Sequence, residues 1–312
     1  MHLDPLLSLT GLGVGFIVGL TGMGGGALMT PLLVLLFGIQ PLAAVSSDLV
    51  AALVMKPVGG GVHLRRGTVN LKIVAWLMAG SIPAAFAGVL VLKSLGDGTA
   101  VADRLKIALG LALCVAAAAM VVKSRLAVRR ARTLGVGEAQ DATEVAVRPL
   151  LTAGVGAIGG LLVGMTSVGS GSLIIVLLLL VYPKLTAKSL VGTDLVQAIP
   201  LVASATLGHV LFGDVHLAIT GSLLIGSIPG VYLGARLSAK ADDALIRPIL
   251  VLVLLLSGAK LLGAPTTLVG LGAIPGVLLA LYPTAKRLTP KRIGAATAAS
   301  RSPLEIIEVV PG

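Results

Sequence analysis

The sequence predicts an all-α polytopic membrane protein with two inverted repeats. Each repeat is a glycine-tipped re-entrant helical hairpin plus about three transmembrane helices, and one extra helix follows at the C-terminal side. Three observations carry this prediction. Of 312 residues, 56% are hydrophobic and 12% charged, with a mean hydropathy of +1.04; soluble domains carry about twice that share of charge. Apolar blocks recur along the whole chain, and several reach the ~20 residues that a helix needs to cross a bilayer. The chain also contains an internal duplication.

The first blocks, residues 6–20 and 27–37, are separated by "GLTGMGGG" and are each too short to span comfortably. Glycine carries the largest entropy cost on ordering, so a cluster this dense weakens a helix. The pair therefore reads as a hairpin turning at mid-membrane around Gly22–Gly26. The N-terminal "MHLDP" lacks positive charge and no A-x-A-like site follows, so the first block does not read as a cleavable signal peptide. Blocks 41–62, 70–92 and 105–122 complete a first repeat, 1–123, and a basic linker, 124–147, follows with "KSRLAVRRAR" at its start. Blocks 150–166 and 172–183 form a second hairpin around Ser167–Gly171, and 189–212, 216–236 and 245–262 complete a second repeat, 148–262. An extra transmembrane segment, 263–285, and a polar tail, 286–312, end the chain.

The duplication rests on particular residues. "GFIVGLTGMGGGAL" aligns with "GGLLVGMTSVGSGSL", so that Gly19, Thr21, Gly24 and Gly26 meet Gly164, Thr166, Gly169 and Gly171. "SSDLVAA" then meets "GTDLVQA", His63 meets His209, and "GSIPAAFAG" meets "GSIPGVYLG" at a constant spacing of 146 residues. Apolar similarity by itself would not also align Asp, His and Pro.

Orientation follows from lysine and arginine, which favour the cytoplasmic side. With the linker inside, Arg65, Arg66, Lys72, Lys184, Lys188, Arg236, Lys240 and Arg247 also fall inside, as does the tail. Loop 63–72 is basic, whereas its repeat mate 209–216 has no Lys or Arg and falls outside. The halves thus face opposite ways, the arrangement of secondary transporters with a midplane site. Non-helical backbone at that depth is tolerated only within protein or beside a watery cavity. Helices restarting near Ala27 and Ser172 would aim N–H groups and positive dipole ends at such a cavity, which suits an anion.

Other glycines read differently. Gly11, Gly15 and Gly19, and likewise Gly156, Gly160 and Gly164, recur every four residues and suit close helix packing. "GMGGGA" and "GVGAIG" fit a dinucleotide fingerprint, but no βαβ context accompanies them.

Polar residues inside apolar blocks mark the candidate site. Asp48 and Asp194 are repeat mates, with Ser46, Ser47 and Thr193 beside them, and read either as helix caps or as proton-relay or substrate-site groups. Lys56 has Val202 as its mate and lies ~13 Å of helix from the basic end of its block, too far to snorkel easily. It reads as a counter-charge for a bound anion, or as a structural partner of Asp194. The substrate-binding set is Thr21, Gly24, Gly25, Gly26, Lys56, Thr166, Gly169, Ser170, Gly171 and Gln197. His63 and His209 read as loop caps near opposite membrane surfaces, with proton acceptance as the second reading. Pro83 and Pro229 read as kinks.

Several function classes fall away. The charge of +11 is spread between apolar blocks and aromatics are 3% of the chain, so nucleic acid is not an expected partner. The only cysteine, Cys114, excludes an intramolecular disulfide and a thiolate metal cluster. No H-E-x-x-H, P-loop or G-x-S-x-G occurs, so neither an enzyme nor a metal or cofactor is expected.

The segments "GMGGGALMTPLLVLLFG", "AVSSDL", "HLRRGTVN" and "GSIPAAFAG" resemble the TauE/SafE family of sulfite exporters, also called toluene-sulfonate uptake permeases. "VGTDLVQAIP", "LGHVLFGDVH" and "GSIPGVYLG" are similar to the second repeat of that family, and the resemblance covers about residues 8–262. It implies movement of sulfite or an organosulfonate such as sulfoacetate across the bacterial inner membrane. The expected partners are thus a small sulfur-containing anion and the lipid bilayer, and the expected activity is secondary transport in the export direction. A passive anion channel of the same architecture is the alternative.

Overall fold

A computed structural model describes residues 4–21, 25–94, 99–133, 145–237 and 243–267. The described residues form ten helices: α1 (Pro5–Thr21), α2 (Gly26–Leu36), α3 (Pro41–Arg65), α4 (Leu71–Ser94), α5 (Thr99–Thr133), α6 (Pro149–Thr166), α7 (Leu173–Val181), α8 (Ala187–Phe212), α9 (Leu217–Leu237) and α10 (Asp243–Leu261). Five of them, α4, α5, α6, α8 and α9, are long and apolar enough to cross a membrane. Outward faces across the ten helices carry large apolar side chains such as Leu9, Leu36, Leu150, Leu180 and Leu217. Water would not tolerate such a belt, whereas lipid does. The protein is a multi-pass helical membrane protein.

Local chemistry sets the helix ends. Asp4 caps α1 through its carboxylate, which accepts from Leu6 N at 2.8 Å. Asn70 caps α4 by accepting from Ile73 N at 3.0 Å, and Thr186 caps α8 by accepting from Ser189 N at 3.2 Å. Pro41 and Pro149 open α3 and α6, where a missing N–H costs nothing. Pro83 and Pro229 lie inside the continuous helices α4 and α9. Helix α5 runs on to Thr133, so the start of the expected 124–147 linker is helical. Residues 134–144 and 268–312 lie outside the described residues, and with them most of the expected extra helix and the tail.

The two halves exchange partners. In α1, a Cβ on Gly11 or Gly15 would sit 2.6 Å or 2.5 Å from the carbonyl oxygen of Leu223 or Ser227, and one on Gly19 would strike Val231, so α1 lies backbone to backbone against α9. In α6, Gly156, Gly160 and Gly164 meet Leu77, Ser81 and Ala85 of α4 in the same way. Each contact in one pair is the repeat mate of a contact in the other. Gly226 and Gly230 of α9 return the contact against Ser8 and Leu12. The expectation that these four-residue glycine ladders are packing grooves is met.

Helices α3 and α8 are also repeat mates, and they cross at the centre running antiparallel. Ser46 near the start of α3 bonds His209 near the end of α8 at 2.8 Å, Gly60 packs on Leu195 and Ile199, and Gly192 packs on His63. Helix α5 closes one side against α10, with the Cys114 sulfur on Gly258.

Candidate functional site

The short helices α2 and α7 begin where the glycine clusters end, at Gly26 and Leu173. The turn after α6 is built from unusual backbone. Ser167 adopts φ 58°, Gly169 φ 128° and Gly171 φ 89°, in the region where side chains are disfavoured. Gly169 O then accepts from Leu173 N at 3.0 Å and closes the turn onto α7. Gly25, the mate of Ser170, has nothing unusual to accommodate: its φ is −58° and its carbonyl accepts from Met29 N at 2.8 Å. The two turns meet, because Gly26 lies so close to the Ser167 carbonyl that a Cβ there would collide with it. Of the expected first turn, Gly22 and Gly24 lie outside the described residues.

Lys56 joins this seam. Its ammonium is 7% exposed and donates to Ser170 Oγ at 2.5 Å. Among the described residues it makes no ion pair within 4 Å, so the alternative reading of a direct Asp194 pair gives way to a hydroxyl contact. Asp194 lies in electrostatic reach of Lys56, and its carboxylate accepts from the Gly171 backbone N–H and from Gln197 Nε2, the latter at 3.1 Å. Gln197 Oε1 in turn accepts from Ser81 Oγ of α4 at 3.3 Å. Gln197 therefore orients Asp194 through one of its two amide N–H donors.

Asp48 sits at the other side of the seam, fully buried. Its Oδ2 accepts from Thr30 Oγ1 at 2.8 Å, the Ser167 side chain lies beside it, and Oδ1 has no hydrogen-bond partner. Ser47 Oγ is likewise buried and unpartnered, whereas Thr193 Oγ1 accepts from Asn70 N at 3.2 Å and ties α8 to the start of α4. Thr21 and Thr166 close their helices: each hydroxyl donates to the carbonyl four residues back, at 2.8 Å and 2.6 Å. Each donated hydrogen ties its threonine to its own helix.

The histidines part company. His63 bonds Thr68 Oγ1 at 2.9 Å across the α3–α4 turn, as a loop cap should. His209 is fully buried and bridges Ser46 Oγ of α3 to the Gly164 carbonyl of α6, each at 2.8 Å. The loop-cap expectation for His209 is corrected: it clamps three helices. Gly192, the mate of Ser46, has no hydroxyl to offer His63, which explains the difference.

Sequence reasoning missed Thr30 and Ser81, and placed Ser167 at a turn without giving it a part in the site. Ser81 had a signal, since "GSIP" recurs in both halves; Thr30 becomes visible only when helices pack. A narrow cleft runs beside the seam, lined by Val18, Thr21, Ala27, Ser170 and Ser172, with Leu250 and Leu254 of α10. No strand occurs among the described residues, so the dinucleotide reading lacks its βαβ unit. No cluster of three metal-ligating side chains occurs among them either.

A family model described as "Sulfite exporter TauE/SafE" matches residues 7–261. The chain belongs to the TauE/SafE family. That match takes in both glycine turns, Asp48, Lys56 and Asp194, and ends at the last residue of α10. Among TauE/SafE relatives, the chain is 37% identical over 255 residues to "Probable membrane transporter protein YjnA" of Bacillus subtilis, covering 81% of this chain and 98% of that protein. It is 24% identical over 251 residues to "Probable membrane transporter protein YdhB" of the same organism, covering 80% and 96%. No solved structure matches the chain. The TauE/SafE assignment makes this protein a membrane transporter.

Proposed function

We propose that the protein is a secondary transporter that exports a small sulfur-containing anion, sulfite or an organosulfonate such as sulfoacetate, across the bacterial inner membrane. Two inverted repeats alternate access around an anion site at the seam of the two glycine turns. The observation that carries this reading is Lys56: a buried ammonium, without a carboxylate in contact among the described residues, held on the Ser170 hydroxyl between the tips. An anion entering there exchanges the Ser170 contact for a charge-assisted one in a poorly screened place.

The packing supports the inverted arrangement. Repeat mates related by an axis in the membrane plane run antiparallel, as α3 and α8 do. Gly164 packs level with Ala85, α6 stops two residues later at Thr166, and α4 continues to Ser94, so about 10 Å of helix lies beyond the point where α6 stops. That depth suits a re-entrant turn. The lysine and arginine bias supports a cytoplasmic linker and C-terminal tail.

The test is flux and binding with purified protein. Proteoliposomes should exchange labelled sulfite or sulfoacetate against the same unlabelled anion inside, with saturation. Lys56→Met should weaken equilibrium binding roughly ten- to a hundred-fold, since a hydrogen bond to a charged group is worth about 1.5–3 kcal/mol. Flux that rises linearly with concentration and shows no counterflow points instead to a channel. Unchanged affinity in a folded Lys56→Met protein removes Lys56 from the site.

A further inference from the structure

Symmetry makes Asp48 and Asp194 equals, and Lys56 breaks that equality, because its mate is Val202. Asp194 is as deeply buried as Asp48, but its donors and neighbouring cations favour the charged form. The Gly171 N–H and Gln197 Nε2 donate to it, and Lys56 and Lys123 lie in electrostatic reach. Around Asp48 the supply is thinner. Thr30 holds one oxygen, the Ser167 side chain lies alongside, and Oδ1 is buried without a partner. A charged carboxylate with a bare buried oxygen is expensive, whereas a carboxylic acid in that place needs far less solvation. Lys56 and, from α5, Lys123 lie in electrostatic reach of Asp194, whereas Lys56 is the cation in reach of Asp48, so positive charge is weighted toward Asp194.

We propose that the repeat-related aspartates have divided their work: Asp194 remains ionised as the counter-charge of Lys56, and Asp48 is the carboxyl that carries a proton through the transport cycle. The proposal rests on the transporter reading above and adds the coupling ion and its carrier. Asp48 Oδ1 lies 3.7 Å from the position a Cβ would take on Gly25, and the neighbouring Gly26 touches the Ser167 carbonyl, so the carboxyl sits at the junction of the two turns. While the turns touch, Asp48 is dry and neutral. When they separate, water reaches Oδ1, the O–H bond breaks, and the proton leaves to that water, with the electron pair remaining on the carboxylate. Reclosure is favoured only after a proton returns. The charged groups around Asp48 among the described residues are Lys56 from its own helix and, beyond it, Asp194 from α8 with Lys123 of α5 in reach of that second carboxylate; α1, α2 and the α6–α7 turn contribute none. Anion movement and proton movement are thereby tied to one event, the parting of the tips.

The experiment is infrared difference spectroscopy of purified protein in H2O and D2O, joined to transport in proteoliposomes. The wild type should show the carbonyl stretch of a buried carboxylic acid, with a deuterium shift. Asp48→Asn should abolish that band and the pH-gradient dependence of sulfite flux, while sulfite–sulfite exchange persists. Asp194→Asn should keep the band. Thr30→Val, which removes a hydrogen bond to the carboxyl, should keep the band but move it to higher frequency. A band that survives in Asp48→Asn, or one lost in Asp194→Asn, overturns the proposal. So does wild-type pH-gradient dependence in Asp48→Asn. Because the band requires no substrate, failure of sulfite transport in the wild type refutes the functional reading and leaves the assignment of the proton to be decided separately by the spectra.

Discussion

The glycine ladders allow a prediction whose sign depends on position. At Gly15 an added methyl group would stand 2.5 Å from the Ser227 carbonyl oxygen and 2.8 Å from its Cα. Both are backbone atoms, so no side chain can swing aside, and α1 and α9 must part by several tenths of an ångström along their whole contact. Overpacking of this kind costs about 1–3 kcal/mol. Alanine's better helix propensity returns up to about 1 kcal/mol. The net loss for Gly15→Ala should be about 1–2 kcal/mol. Gly160→Ala, its mate, meets the Ser81 backbone with Cα at 2.7 Å and should lose a similar amount. Gly13 and Gly154 occupy the same two helices with nothing within 4 Å of an added Cβ. There the propensity term stands by itself, and Gly13→Ala and Gly154→Ala should gain about 0.5–1 kcal/mol. Heating the detergent-solubilised protein with a thiol-reactive fluorogenic dye reads unfolding through Cys114, which packs on Gly258 between α5 and α10. Gly15→Ala and Gly160→Ala should melt below the wild type and the two controls at or above it. A Gly15→Ala protein as stable as Gly13→Ala would refute the backbone contact and with it the partner exchange between halves.

Further outcomes follow from the same geometry. Gly25→Ala should fold normally, because its Cβ meets the mobile end of Met55 at 3.2 Å, whereas Gly26→Ala should force the turns apart and lower both melting temperature and anion affinity. In a Cys114→Ser background, cysteines replacing exposed Arg66 and His216 should react with impermeant reagents from opposite sides of the membrane; labelling from one side would sink the inverted topology. His209→Ala should destabilise the protein by about 1–3 kcal/mol, since it strands the Gly164 carbonyl and the Ser46 hydroxyl, while His63→Ala should cost well under that; equal melting temperatures for the two variants would refute the clamp.

How much could be read beforehand differs element by element. The duplication, the two helix breaks and the packing role of Gly11, Gly15 and Gly19 were legible, because backbone entropy and four-residue spacing act locally. Lys56 and the two aspartates stood out for a similar reason: a charge inside an apolar block is costly wherever that block ends up. Their partners were not legible. Lys56 was expected either to face an anion or to pair with Asp194, and it rests on Ser170, 114 residues away. His209 looked like its mate His63, yet Ser46 and the Gly164 carbonyl lie within its reach and a glycine replaces the serine on the other side.

By itself the sequence determined that this chain is helical, apolar enough for a membrane, twice repeated, broken by glycine at the same point of each repeat, and similar to the TauE/SafE family. Those properties belong to windows of a few to about twenty residues, where hydropathy, propensity and identity accumulate without knowledge of the rest. Only the tertiary structure decided that each first helix packs on the fourth helix of the other half. A groove of small residues accepts any close backbone, and two equivalent ridges, at Leu77–Ala85 and Leu223–Val231, were on offer. The same choice brings the two glycine turns together and sets Asp48 and Asp194 in unlike surroundings. Equivalent sequence specifies equivalent local structure, but hydrogen bonding at the seam depends on which copy stands opposite.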